Sequence, residues 1–123
     1  MEKLNLIAGE WASGTDWAEN INPSDTTDVI GQYARASAEQ TRHAIAAAKA
    51  AAPTWAQSTP QSRADALEAV GVELLARREE LGELLSREEG KILSEGIGEV
   101  TRAAHVFKFY AVSYTHLTLP TIE

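Results

Sequence analysis

Leu84-Leu85-Ser86-Arg87-Glu88-Glu89-Gly90-Lys91-Ile92-Leu93 reads as the last turns of a helix and its stop. Leu81, Leu84 and Leu85 recur at helical spacing, and Gly90 stands where a chain leaving an α-helix turns left-handed, at the C′ position. Upstream, Leu67, Val70, Leu74 and Leu75 form the apolar stripe of a preceding helix. Thr59 caps that helix and Pro60 opens it, since proline loses nothing at the first helical position. Glu73 and Arg77 pair at i, i+4 on its wet side. Arg77-Arg78-Glu79-Glu80 then breaks the apolar pattern before the third helix. Downstream, a fourth helix capped near Ser94 carries Ile97, Val100, Ala104, Phe107 and Ala111 on one face. The first of the four starts at Ser37-Ala38-Glu39-Gln40, a capping box, runs through Ala44, Ile45, Ala48 and Ala51, and is limited by Pro53.

Before Ser37, β-formers alternate with Gly, Asn, Asp and Pro. The pattern predicts short strands at about Leu4 to Ile7, Glu10 to Ala12, Trp17 to Asn20 and Val29 to Arg35, with a turn at Asn22-Pro23-Ser24-Asp25. The expected fold class is therefore α+β: short N-terminal hairpin strands, then about four helices.

The chain has 123 residues and 44% hydrophobic content, enough for one small domain at most. A formal charge of -7 with scattered Lys and Arg argues against a nucleic-acid partner. No apolar run approaches a membrane span, and Met1-Glu2-Lys3 does not open a signal peptide, so the expected address is cytoplasmic, with no membrane partner. With Cys 0 there are no disulfides and no thiolate metal sites. Asn22-Pro23-Ser24 is no glycosylation acceptor, because proline occupies its middle position.

The run Glu88-x-Gly90-Lys91 resembles the aldehyde dehydrogenase superfamily. Ile7-x-Gly9-x-Trp11, Ile21-Asn22-Pro23, Trp55, Arg63 and Leu67 keep the same register, so the resemblance extends from about Leu4 to Ala111. Arg87-Glu88-Glu89-Gly90-Lys91 together with Glu95-Gly96-Ile97-Gly98-Glu99-Val100 looks most like the 2-oxoglutarate semialdehyde dehydrogenases. The resemblance implies that residues 1–111 are the N-terminal part of a Rossmann-like α/β cofactor-binding domain. It implies a full-length parent that oxidises a small-molecule aldehyde to a carboxylate with NAD or NADP and forms a homo-oligomer. Succinate semialdehyde dehydrogenase or another member is the alternative within the family. A free-standing, non-catalytic helical interaction module is the alternative outside it.

Val112-Ser113-Tyr114-Thr115-His116-Leu117-Thr118-Leu119-Pro120-Thr121 drops the helical period and resembles one reading frame of a transposase sequencing adapter. Residues 112–123 are thus expected to be a non-native tail; a short natural β-prone tail is the other reading.

The family's chemistry is nucleophilic: a cysteine thiolate attacks the aldehyde, hydride passes to NAD(P)+, and an activated water hydrolyses the thioester. This chain has no cysteine, and the resemblance puts the cofactor loops downstream. The expected catalytic, cofactor-binding and metal residues are therefore none, with no cofactor bound and no activity from the chain itself. Gly96-Ile97-Gly98 has Thr101 where a third glycine belongs and no strand before it, so it is not a dinucleotide fingerprint. Glu88 and Glu89 are helix neighbours about 100° apart and do not face each other. Some relatives hold a structural cation near the position of Glu88, using the shorter aspartate. Lys91 is expected to complement the negative helix end. His43 and His105 have no second ligand at metal spacing. Trp11, Trp17 and Trp55 are expected in packing rather than in base or sugar stacking.

Overall fold

The computed structural model describes residues 2–116, with side chains from Lys3 to Ser113. It divides into two compact units, residues 1–57 and 58–123.

The first unit holds five strands and one helix: β1 (Glu2–Lys3), β2 (Asn5–Ile7), β3 (Glu10–Ala12), β4 (Asp16–Ile21), β5 (Val29–Arg35) and α1 (Ala38–Gln57). β2 and β3 form a hairpin whose two-residue turn, Ala8-Gly9, has φ of 53° and 85°. Positive φ at both central residues is the type I′ geometry that matches strand twist, and glycine makes the second position cheap. β5 sits between β1, parallel to it, and β4, antiparallel. The β4–β5 connection is a knot of local bonds. Asn22 N–H donates to the Asp28 carbonyl at 3.0 Å, the Asn22 amide donates to the Asp28 carboxylate at 3.2 Å, and Asn22 Oδ1 accepts from Ser24 N–H at 2.9 Å. Such short polar side chains compete with regular structure, which is why the turn forms there.

The capping box is realised in both directions: Gln40 N–H donates to Ser37 Oγ and Ser37 N–H to Gln40 Oε1, each at 3.0 Å. The Gln40 amide also donates to the Ser13 carbonyl at 2.7 Å, tying the helix start to the segment after β3. Pro53 does not end α1, which continues to Gln57. The proline forfeits only the bond to the Lys49 carbonyl, and the alanine-rich turns around it carry the helix four residues further. None of the α1 residues is buried.

The second unit packs α2 (Pro60–Ala76), α3 (Arg78–Glu89) and α4 (Leu93–His116). Thr59 caps α2 as expected, its hydroxyl accepting from Ser62 N–H at 3.1 Å with Pro60 next. Arg77 alone connects α2 to α3, so α3 begins three residues before Leu81. The Glu73–Arg77 pair is present at 3.9 Å, but Arg77 binds Glu80 more closely, with two bonds of 2.7 and 2.9 Å. Gly90 is left-handed at φ 68°, and the Ser86 carbonyl accepts from both Gly90 N–H and Lys91 N–H. These bonds satisfy an orphan carbonyl and terminate α3.

Two expectations shift. Val70 is 42% exposed, and the buried residues of α2 are Ala64 and Gly71, so the packed stripe excludes Val70 in favour of Gly71. The cause is proximity: a Cβ at Gly71 would meet Lys108 Cγ at 2.7 Å and the Ala104 carbonyl at 3.1 Å. Ser94 does not cap α4; the Ile92 carbonyl accepts from Glu95 and Gly96, and the helix starts at Leu93. The expected inner face of α4 holds, with Val100, Ala104 and Ala111 buried and Ile97 and Phe107 half-buried. The loss of helical period expected at Val112 does not occur there, since α4 runs on to His116. Residues 117–123 of the expected tail lie outside the described residues.

Candidate functional site

α3 and α4 meet at a corner built from residues too small to keep backbones apart. A Cβ on Gly82 would stand 2.6 Å from Ile97 Cγ1, 2.7 Å from Ile97 Cα and 2.8 Å from Ile97 N. One on Gly96 would run into Ser86 Oγ and the Gly82 carbonyl. Ser86, 8% exposed, donates its hydroxyl to the Gly82 carbonyl at 2.8 Å, so its burial leaves that polar group satisfied. The glycine pair 96 and 98 is thus inside α4, preceded by α3 rather than by a strand. Gly96 serves the contact between α3 and α4.

Lys91 follows the corner and carries more than the expected helix-end charge. Its ammonium, 17% exposed, bridges Glu89 and Glu99, the latter at 2.6 Å. The hydrogen bond it donates to Glu89, then the one it donates to Glu99, raise its pKa above the ordinary 10.5. A second tie joins Lys108 on α4 to Glu68 on α2. The Lys108 stem lies across Gly71, covering apolar surface while its head reaches the carboxylate. Neither tie was legible in advance, because Glu68 and Lys108 are 40 residues apart and Glu99 belongs to another helix.

The outer face of α4 forms an open groove of about 600 Å³ lined by Gly98, Thr101, Arg102, His105, Val106, Phe109 and Tyr110. Phe109 and Tyr110 meet edge to face, ring centroids 5.4 Å apart. Phe109 is 65% and Tyr110 54% exposed.

The candidate histidines lie on separate elements. His43 is on α1 and His105 on α4. Among the described residues no group of three or more His, Cys, Asp and Glu is placed to hold a metal ion. Glu88 is half-buried near the end of α3 and already engaged by another group. Packing was expected for all three tryptophans, yet only Trp17 is half-buried, while Trp11 and Trp55 are 68% and 54% exposed. Their indoles suit burial, but within its own unit each is left uncovered by the neighbours it has. No helix among the described residues is long and apolar enough to cross a membrane.

Comparison with known proteins places this arrangement. The profile of the aldehyde dehydrogenase family matches residues 11–123. Alpha-ketoglutarate semialdehyde dehydrogenase of Haloferax volcanii is 32% identical over 109 residues, which cover 87% of this chain and 23% of that protein. Mitochondrial succinate-semialdehyde dehydrogenase of Arabidopsis thaliana is 35% identical, covering 86% of this chain and 20% of the relative. Among solved structures, NADP-dependent glyceraldehyde-3-phosphate dehydrogenase from Bacillus halodurans C-125, complexed with NADP, superposes with a TM-score of 0.88 at 29% identity. That match covers 92% of this chain and 24% of that one. The chain spans about a fifth to a quarter of the length of these relatives. With the family profile matching residues 11–123 and a solved member superposing at a TM-score of 0.88, the chain belongs to the aldehyde dehydrogenase family.

Proposed function

We propose that residues 1–111 are the N-terminal part of the cofactor-binding domain of an NAD(P)+-dependent dehydrogenase that oxidises a semialdehyde, 2-oxoglutarate semialdehyde foremost, to a carboxylate. The observation that carries this reading is the family match, with the sequence similarity to alpha-ketoglutarate semialdehyde dehydrogenases of Haloferax volcanii and of Bacillus subtilis supporting the substrate. Succinate semialdehyde is the neighbouring choice. The attacking thiolate belongs to residues beyond this chain, which has no cysteine. What these residues contribute is positional: the capped helices and the glycine corner fix α4, whose outer face is then presented to the rest of the domain. The parent is a cytoplasmic homo-oligomer in this reading.

The boundary after Ala111 rests on the adapter-like frame of the residues that follow, while α4 itself continues to His116. A longer DNA read across the codon of Ala111 tests it: a long open frame containing a cysteine supports the reading, and a natural stop shortly after residue 123 defeats it. Expression of that frame and measurement of nicotinamide reduction with 2-oxoglutarate semialdehyde tests the activity. The exposed apolar faces favour one competitor, a non-catalytic interaction module. A full-length protein that folds but reduces no nicotinamide with any semialdehyde would transfer weight to it.

A further inference from the structure

We draw no further inference here: the strongest candidate, the side-chain cluster in which Lys91 bridges Glu89 and Glu99 at the corner of α3 and α4, belongs to the site already described.

Discussion

Gly82→Ala and Gly98→Ala make the same covalent change in the same helical unit and should have opposite effects. In the unfolded chain the two substitutions restrict the backbone alike, so their difference isolates the folded state. At Gly98 the new methyl meets open space, and the gain is the helix preference for alanine, about 1 kcal/mol. At Gly82 it would sit 2.6 Å from Ile97 Cγ1 and 2.7 Å from Ile97 Cα. Carbon atoms in contact prefer about 3.5–4.0 Å, so α3 and α4 must separate by about 1 Å. The Cγ1 contact yields by a rotamer change, but the Cα and N contacts are backbone and do not. Overpacking of this kind costs about 1–3 kcal/mol, which exceeds the helix gain and leaves a net loss of about 1. The two variants should thus lie about 2 kcal/mol apart, or about 8–16 °C in Tm at 4–8 °C per kcal/mol for a unit of this size. Thermal melts of the 123-residue chain at low concentration, followed at the helical band of circular dichroism, provide the measurement. Equal stabilisation by both substitutions would show that the α3–α4 crossing is not closely packed at Gly82.

Leu74→Asp should destabilise the helical unit by several kcal/mol, because it places a carboxylate against the packed side of α2, whereas Glu73→Ala removes one exposed 3.9 Å pair worth about 0.3–0.5 kcal/mol; equal losses of helical signal would show the stripe to be unpacked. Lys91 binds its proton more tightly in the folded chain, so its contribution is complete below 10.5 and is lost as pH rises through its higher folded value. Denaturation in urea should therefore show stability falling in that alkaline range, with a shallower fall in Lys91→Met; parallel curves would contradict the clamp. Incubated with NAD+ and succinate semialdehyde, the 123-residue chain should reduce no nicotinamide, having no cysteine; turnover above a blank would disprove this. Val106, Phe109, Tyr110 and Val112 on α4 are all more than two-fifths exposed, so the chain should bind a hydrophobic dye and grow in apparent size with concentration; a monodisperse, dye-silent monomer would not fit.

The sequence by itself determined the elements whose cause is local. A capping box, a Thr-Pro start and a Gly stop act within four residues, through backbone groups that must find partners wherever the rest of the chain goes. Ser37, Thr59 and Gly90 accordingly behave as their neighbours dictate. The hairpin at Ala8-Gly9 belongs with them, its turn being two residues long. Among the recognisable family residues, Gly9, Asn22, Pro23 and Gly90 mark such stops and turns. The inner face of α4 was legible too, but only the tertiary structure decided which residues of α2 are packed. Hydrophobicity favoured Val70 over Gly71, but the distance between α2 and α4 is set by the smallest side chain, and α4 came close enough to exclude any Cβ at Gly71. The ion pairs Lys91–Glu99 and Lys108–Glu68 were hidden likewise. Whether a charge is neutralised depends on which helices become neighbours, and helical period fixes the direction of a side chain around its own axis but not what stands opposite.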